Sequence, residues 1–188
     1  MYRLLSALRE FRTLYLVDLS LTKVNRWQRS GRSEDCPEEI TAEWIGNPVL
    51  RVTEFPAGYP SAPVLSRRLV DALHDDLTAA GRFVPVRTDD ADAGEFLLYA
   101  VEAVVDCLDA RRSSKPRKAT GHIKQVVFQQ DALPYDLPAF RIPEWPGAVF
   151  WNGWAADRLA ELLGDDLEAR LVWSDDRSLT PHPDPMGF

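Results

Sequence analysis

Residues 48–79 and 138–169 of this chain lie over each other without a gap at a constant offset of 90. They agree at eleven positions, including Arg51/Arg141, Glu54/Glu144, Pro56/Pro146, Arg68/Arg158, Leu69/Leu159, Leu73/Leu163, Asp75/Asp165 and Asp76/Asp166. Chance would give about two in a window of that length. The match predicts one supersecondary unit used twice, each copy with an incomplete core that needs the other. The fold class that follows is α+β: two related strand–helix–strand units from an internal duplication, sharing mixed or antiparallel sheet, with helices packed outside.

Each copy reads as strand, turn, helix, strand. The triplets 50–52 (LRV) and 140–142 (FRI) suit short strands. The Glu-Phe-Pro and Glu-Trp-Pro that follow should end them, because proline has no amide for a ladder. Leu65, Leu69, Leu73 and Leu77 make one helical stripe, widened by Val70 and Ala72. Ala155, Leu159, Leu162 and Leu163 make the other, with Asn152 as N-cap and Gly164 as the stop. Returning strands are expected at 83–86 and 170–173, and further strands at 13–18, 96–106 and 123–128. The 96–106 run should lie centrally, with Asp89, Asp90, Asp92 and Gly94 marking the turn before it. Residues 28–43 read as a surface loop or short acidic helix, and the proline-rich 174–188 as an extended or poorly ordered tail. One compact domain is expected, in four segments. These are 1–44 (N-terminal strand and acidic loop), 45–110 (first unit with the long strand), 111–173 (basic loop and second unit) and the tail.

Apolar residues at 45% and charged residues at 27% are globular proportions. Two cysteines, Cys36 and Cys107, are too few for a disulfide framework or a four-ligand zinc site. The nearest approach to a membrane span, FLLYAVEAVV, carries Glu102. The opening MYRLLSALREFR has no apolar core of signal-peptide length. A soluble, cytoplasmic protein without membrane contact is expected. The net charge of −7 is uneven: residues 34–110 hold sixteen acids against five bases, while 111–124 hold six bases and no acid. An acidic body repels nucleic acid and attracts basic partners.

Motifs that carry chemistry are scarce. There is no glycine-rich phosphate loop, no C-x-x-C, no H-E-x-x-H and no nucleophile elbow. His74 beside Asp75 and Asp76 reads as a surface or capping residue, and His122 and His182 have no metal partner nearby in sequence. Cys107 with His122 would form a nucleophile pair only if folding joined them. Asp106 and Asp109 could serve acid/base chemistry between the two units, so a small enzyme is one alternative. The basic run Arg111, Arg112, Lys115, Arg117, Lys118 could contact phosphates, which makes nucleic-acid binding another, though it lacks interleaved aromatics. Trp145, Phe150, Trp151 and Trp154 crowd one turn; they either pack between the two units or serve binding, since tryptophan is enriched at hot spots.

The order of segments (PVLSRRLVDAL, FVPV, VVDCLD with Ser113 and Ser114 soon after, an I-x-x-x-V-F run, FRI, and DRLAELL) resembles a bacterial immunity-protein family. This is the eleventh in the numbered series from polymorphic-toxin and contact-dependent systems, formerly a domain of unknown function. The resemblance covers roughly residues 45–173. It implies a non-enzymatic protein, without cofactor or metal, that binds and neutralises a cognate toxin domain. Many toxin domains that act on nucleic acid are basic, so the inhibitory face should combine acids with aromatics. Trp151, Trp154, Asp89, Asp90 and Asp92 are the expected partner-binding residues. The sequence leaves the oligomeric state open.

Overall fold

The computed structural model describes residues 1–6, 11–57, 59, 61–89 and 95–187. It is a mixed α+β fold of two sheets and three helices. The strands are β1 (Tyr2–Ser6), β2 (Thr13–Leu16), β3 (Ile40–Ile45), β4 (Val64–Ser66), β5 (Gly81–Arg87), β6 (Phe96–Val101), β7 (Ala139–Ile142), β8 (Trp145–Trp151) and β9 (Leu167–Leu171). The helices are α1 (Asp18–Ser30), α2 (Arg67–Leu77) and α3 (Gly153–Leu163).

A five-stranded mixed sheet runs β2-β3-β5-β6-β4, and a four-stranded antiparallel sheet runs β7-β8-β1-β9. In the first, α2 joins β4 to β5, and β6 lies antiparallel between those two strands. In the second, α3 joins β8 to β9, and β1 lies antiparallel between them. Two strand–helix–strand units of the same topology are therefore present. The second is completed by the N-terminus of the chain.

The ungapped offset of 90 is not the structural register. α2 starts at Arg67 and α3 at Gly153, 86 positions apart, which is one helical turn less. At that spacing the buried faces agree: Leu69, Val70, Leu73 and Leu77 answer to Ala155, Ala156, Leu159 and Leu163. β5 and β9 begin at Gly81 and Leu167, again 86 apart. The likeness is one of topology and burial, and by itself it does not demonstrate a duplication. Arg51 and Arg141, matched in sequence, differ in place. Arg51 is exposed and paired with Asp166 at 3.5 Å, whereas Arg141 is 1% exposed inside β7.

Every residue of β6 is buried because both faces of its sheet are covered. Leu97, Tyr99 and Val101 face the interior shared with α2 and α3. Phe96, Leu98 and Ala100 face the cluster that α1 closes with Val24 and Trp27. This is period-two alternation with both faces apolar. The shared interior also takes Leu4 of β1 and Val149 and Trp151 of β8, so both sheets turn one side to the α2–α3 pair. The other side of β7–β8, with Phe140, Ile142, Ala148 and Phe150, is covered by Cys107, Leu108, Ile123, Val126 and Phe128.

Several expected elements differ. Residues 50–52 form no strand, only an isolated bridge from Phe11 to Arg51. The 123–128 run is likewise irregular, with one bridge from Leu108 to Phe128. The strand expected at 96–106 stops at Val101. The FRI strand does end ahead of Glu-Trp-Pro, at Ile142, but that segment then opens another strand instead of leading to the helix: β8 begins at Trp145 and includes Pro146. Proline is tolerated there because it sits near the strand start, ahead of the point where β8 pairs with β1 through Tyr2↔Trp151. Of residues 28–43, 31–39 are a loop carrying the short acidic 3-10 turn Ser33–Asp35, as expected, whereas 28–30 end α1 and 40–43 open β3. The tail from 174 has no helix or strand, yet it docks: Met186 is 8% exposed and the His182 amide donates to the Leu171 carbonyl at 2.8 Å. No helix among the described residues is long and apolar enough to cross a membrane.

Candidate docking face

Asn152 precedes α3 as its N-cap residue, but its side chain makes no cap bond. It is 2% exposed, and Nδ2 donates instead to the carbonyls of Pro134 (2.7 Å) and Leu137. Two residues on, Trp154 Nε1 donates to the Tyr135 carbonyl at 3.1 Å. The start of α3 thus clamps the Leu-Pro-Tyr-Asp-Leu turn at three carbonyls, and the clamped turn presents Tyr135, 53% exposed, beside Trp154, 36% exposed. A turn fixed in this way loses little further freedom when a partner covers it.

Acids lie near Tyr135. Burial raises the Tyr135 pKa, and the charges of Asp175 and Asp131 raise it further. Gln130 Nε2 donates to Asp175 Oδ2 at 2.8 Å, which joins the 130–132 turn to the segment after β9. Asp136 follows Tyr135 directly, Asp157 lies one helical turn beyond Trp154, and all four acids are exposed. An amphipathic aromatic pair rimmed by carboxylates is the composition of a protein-docking patch for a basic partner.

The residues expected from sequence are divided by the structure. Trp154 is on this face. Trp151 is not: it is 1% exposed, with its ring centroid 5.6 Å from that of Tyr99 and 6.4 Å from that of Phe55, so it supplies core volume. Asp89 is exposed after β5, and Asp90 and Asp92 lie outside the described residues. Tyr135, Asp131 and Asp175 were not anticipated. The signal for Tyr135 was a lone tyrosine in a proline-flanked turn, Pro134-Tyr135-Asp136.

The other chemical candidates have visible structural occupations. Asp109 Oδ1 accepts from the amides of Arg111 (3.0 Å) and Arg112 (3.2 Å), fixing the turn that starts the basic loop. Ser113 Oγ then accepts from the Val127 amide at 2.9 Å. Burial, helped by Asp106, pushes the Cys107 thiol up to about 12, so it stays protonated at neutral pH and is a poor nucleophile. His74 is exposed beside Asp75, with Nδ1 3.3 Å from Oδ1. Among the described residues no group of three or more His, Cys, Asp or Glu is arranged to hold a metal ion.

No protein-family model matches the chain, and no curated protein matches it.

Proposed function

We propose that this chain is an immunity-type protein that binds a basic toxin domain and neutralises it by covering its surface. The observation that supports this most is the Tyr135–Trp154 pair on a clamped turn, with Asp131, Asp136, Asp157 and Asp175 around it. A preformed aromatic centre supplies affinity, and the acidic rim supplies attraction and orientation toward a cationic partner. The net charge of −7 acts in the same direction.

The test is co-purification with the product of the neighbouring gene, followed by titration of the two purified proteins. Asp131→Lys with Asp175→Lys should slow association at low salt by about tenfold or more, an effect that fades at high salt. A complex whose formation ignores this double reversal at low salt would remove the electrostatic face from the proposal. Failure to bind any neighbouring product would remove the function.

A further inference from the structure

A concave site shares none of the residues of this face. A cavity of about 350 Å³ is lined by Arg3 of β1, Trp145 and Val149 of β8, and Arg117, Thr120 and His122 of the basic loop. That volume is at the lower end of the range for small-molecule pockets, about 300–1,000 Å³. Its wall is mainly apolar, and two guanidinium-bearing side chains and an imidazole converge on it.

The loop is built to sit there. The Arg117 amide donates to the His122 carbonyl at 2.9 Å, and the Gly121 amide to the Arg117 carbonyl at 2.8 Å, which closes a tight turn. Gly121 has φ +72°, and a Cβ on it would stand 3.0 Å from the Glu144 carbonyl and 3.2 Å from Trp145 Cδ1. Glycine therefore lets the turn lie directly on β8. The His122 ring meets Trp145 edge-on, with centroids 4.9 Å apart. Nδ1 of His122, a residue of the cavity wall, is buried with no hydrogen-bond partner.

Arg3 is 5% exposed and stands directly opposite Arg170 in the β1–β9 ladder. Like charges opposite each other in a ladder cost stability. Burial first, then Arg170, lowers the Arg3 pKa, while Asp184 and Glu168 raise it. Arg170 is itself committed to Glu168 at 2.7 Å and to the Gly187 carbonyl. Arg3 thus brings a positive charge to the cavity wall, set between Arg170 and the carboxylates of Asp184 and Glu168, and Arg117 brings a second.

We propose that this cavity binds a small molecule carrying an anionic group on a flat apolar body, such as an aryl carboxylate or aryl phosphate. The anion would lie toward Arg3 and Arg117, and the ring against Trp145 and Val149.

The test is calorimetric titration of the full chain with phenyl phosphate and with benzoate, using inorganic phosphate and benzyl alcohol as the single-feature controls. Amide and indole chemical shifts report the place of binding. At least one aryl anion should bind with Kd below about 1 mM, and the controls should bind at least tenfold more weakly. Shifts should centre on Trp145 and residues 117–122. The tighter of the two ligands identifies the head group. Arg117→Ala, at an exposed position where folding is not at risk, should weaken binding about tenfold or more, and Arg117→Lys should restore part of it. Neither ligand saturating by about 10 mM, inorganic phosphate binding as tightly, or an unchanged Kd in Arg117→Ala would each overturn the proposal.

Discussion

The guanidinium of Arg141 stands 4.8 Å from the ring centroid of Trp27, with Nη1 donating to the carbonyls of Gln28 (3.0 Å) and Pro146 (3.2 Å). One buried side chain thereby ties the end of α1 to both strands of the β7–β8 hairpin. Truncation would leave two carbonyls short of a donor and open a void beside Trp27. Arg141→Ala should lose about 3 kcal/mol in urea unfolding. Arg51→Ala, its counterpart at offset 90, should lose under about 1 kcal/mol, since that side chain is 67% exposed and its partner Asp166 is 3.5 Å away. Equal losses would contradict the different places assigned to these arginines.

The two tryptophans flanking Asn152 should separate stability from binding. Trp151→Ala removes a ring at the centre of the shared interior and should cost about 3–5 kcal/mol. Trp154→Ala removes a part-exposed ring and one hydrogen bond to the 135 carbonyl. It should stay within about 1 kcal/mol of the parent in thermal unfolding while weakening partner binding by about 2 kcal/mol. A Trp154→Ala protein that unfolds like Trp151→Ala would make Trp154 a core residue.

Much of this fold is legible in the sequence where burial follows a single period. The β6 run FLLYAV and the stripes through Leu69, Leu73 and Leu77 on α2 and Ala155, Leu159 and Leu163 on α3 are buried where they were expected, whereas Leu65 belongs to β4 and Ala72 is exposed. α1 was not legible because its inward positions, Ser20, Val24, Trp27 and Gln28, have helical spacing but half are polar. Those two polar residues are buried by bonding other segments: Ser20 Oγ accepts from the Thr41 amide at 2.9 Å and Gln28 Nε2 donates to the Ser61 carbonyl at 2.6 Å. The repeat register slipped for a related reason. A leucine stripe at spacing four matches itself after a one-turn shift, so Leu69 and Leu73 align as well at 90 as Leu69 and Val70 do with Ala155 and Ala156 at 86. The docking face was half legible. Trp154 could be named from its neighbourhood, but the carboxylates that surround Tyr135 come from segments far apart in the chain.

Glu54 holds the entry to α2. It accepts from Arg68 Nε at 2.7 Å, from Arg68 Nη2, and from Ser66 Oγ at 2.8 Å. Arg68 is the main reason the Glu54 pKa is lowered, and the Ser66 hydroxyl adds to it against a burial cost. A depressed carboxylate pKa gives stability that is present above the unfolded-state value, about 4.3, and is lost as pH falls through the folded one. Glu54→Gln should therefore flatten the loss of stability between about pH 5 and pH 3, and change it little at pH 7 beyond a constant offset. The comparison is urea midpoints of parent and variant across that range. Parallel curves would show that Glu54 does not titrate against Arg68.

Glycine is required at Gly81 for reasons of space alone. It opens β5 opposite Val101, and a Cβ there would fall 2.2 Å from the Ala100 carbonyl oxygen and 2.9 Å from its carbon. Backbone on the facing strand cannot yield, because β6 is buried on both sides by α1 and by the α2–α3 interior. Gly81→Ala should cost at least about 3 kcal/mol and shift thermal unfolding sharply downward. Gly121→Ala meets a milder obstacle, a left-handed φ and contacts of 3.0 and 3.2 Å, and should cost about 1–2 kcal/mol. It should also loosen the 117–122 turn, seen as faster amide exchange there. Should Gly81→Ala prove the gentler of the two, the close approach of β5 to β6 would have to be abandoned.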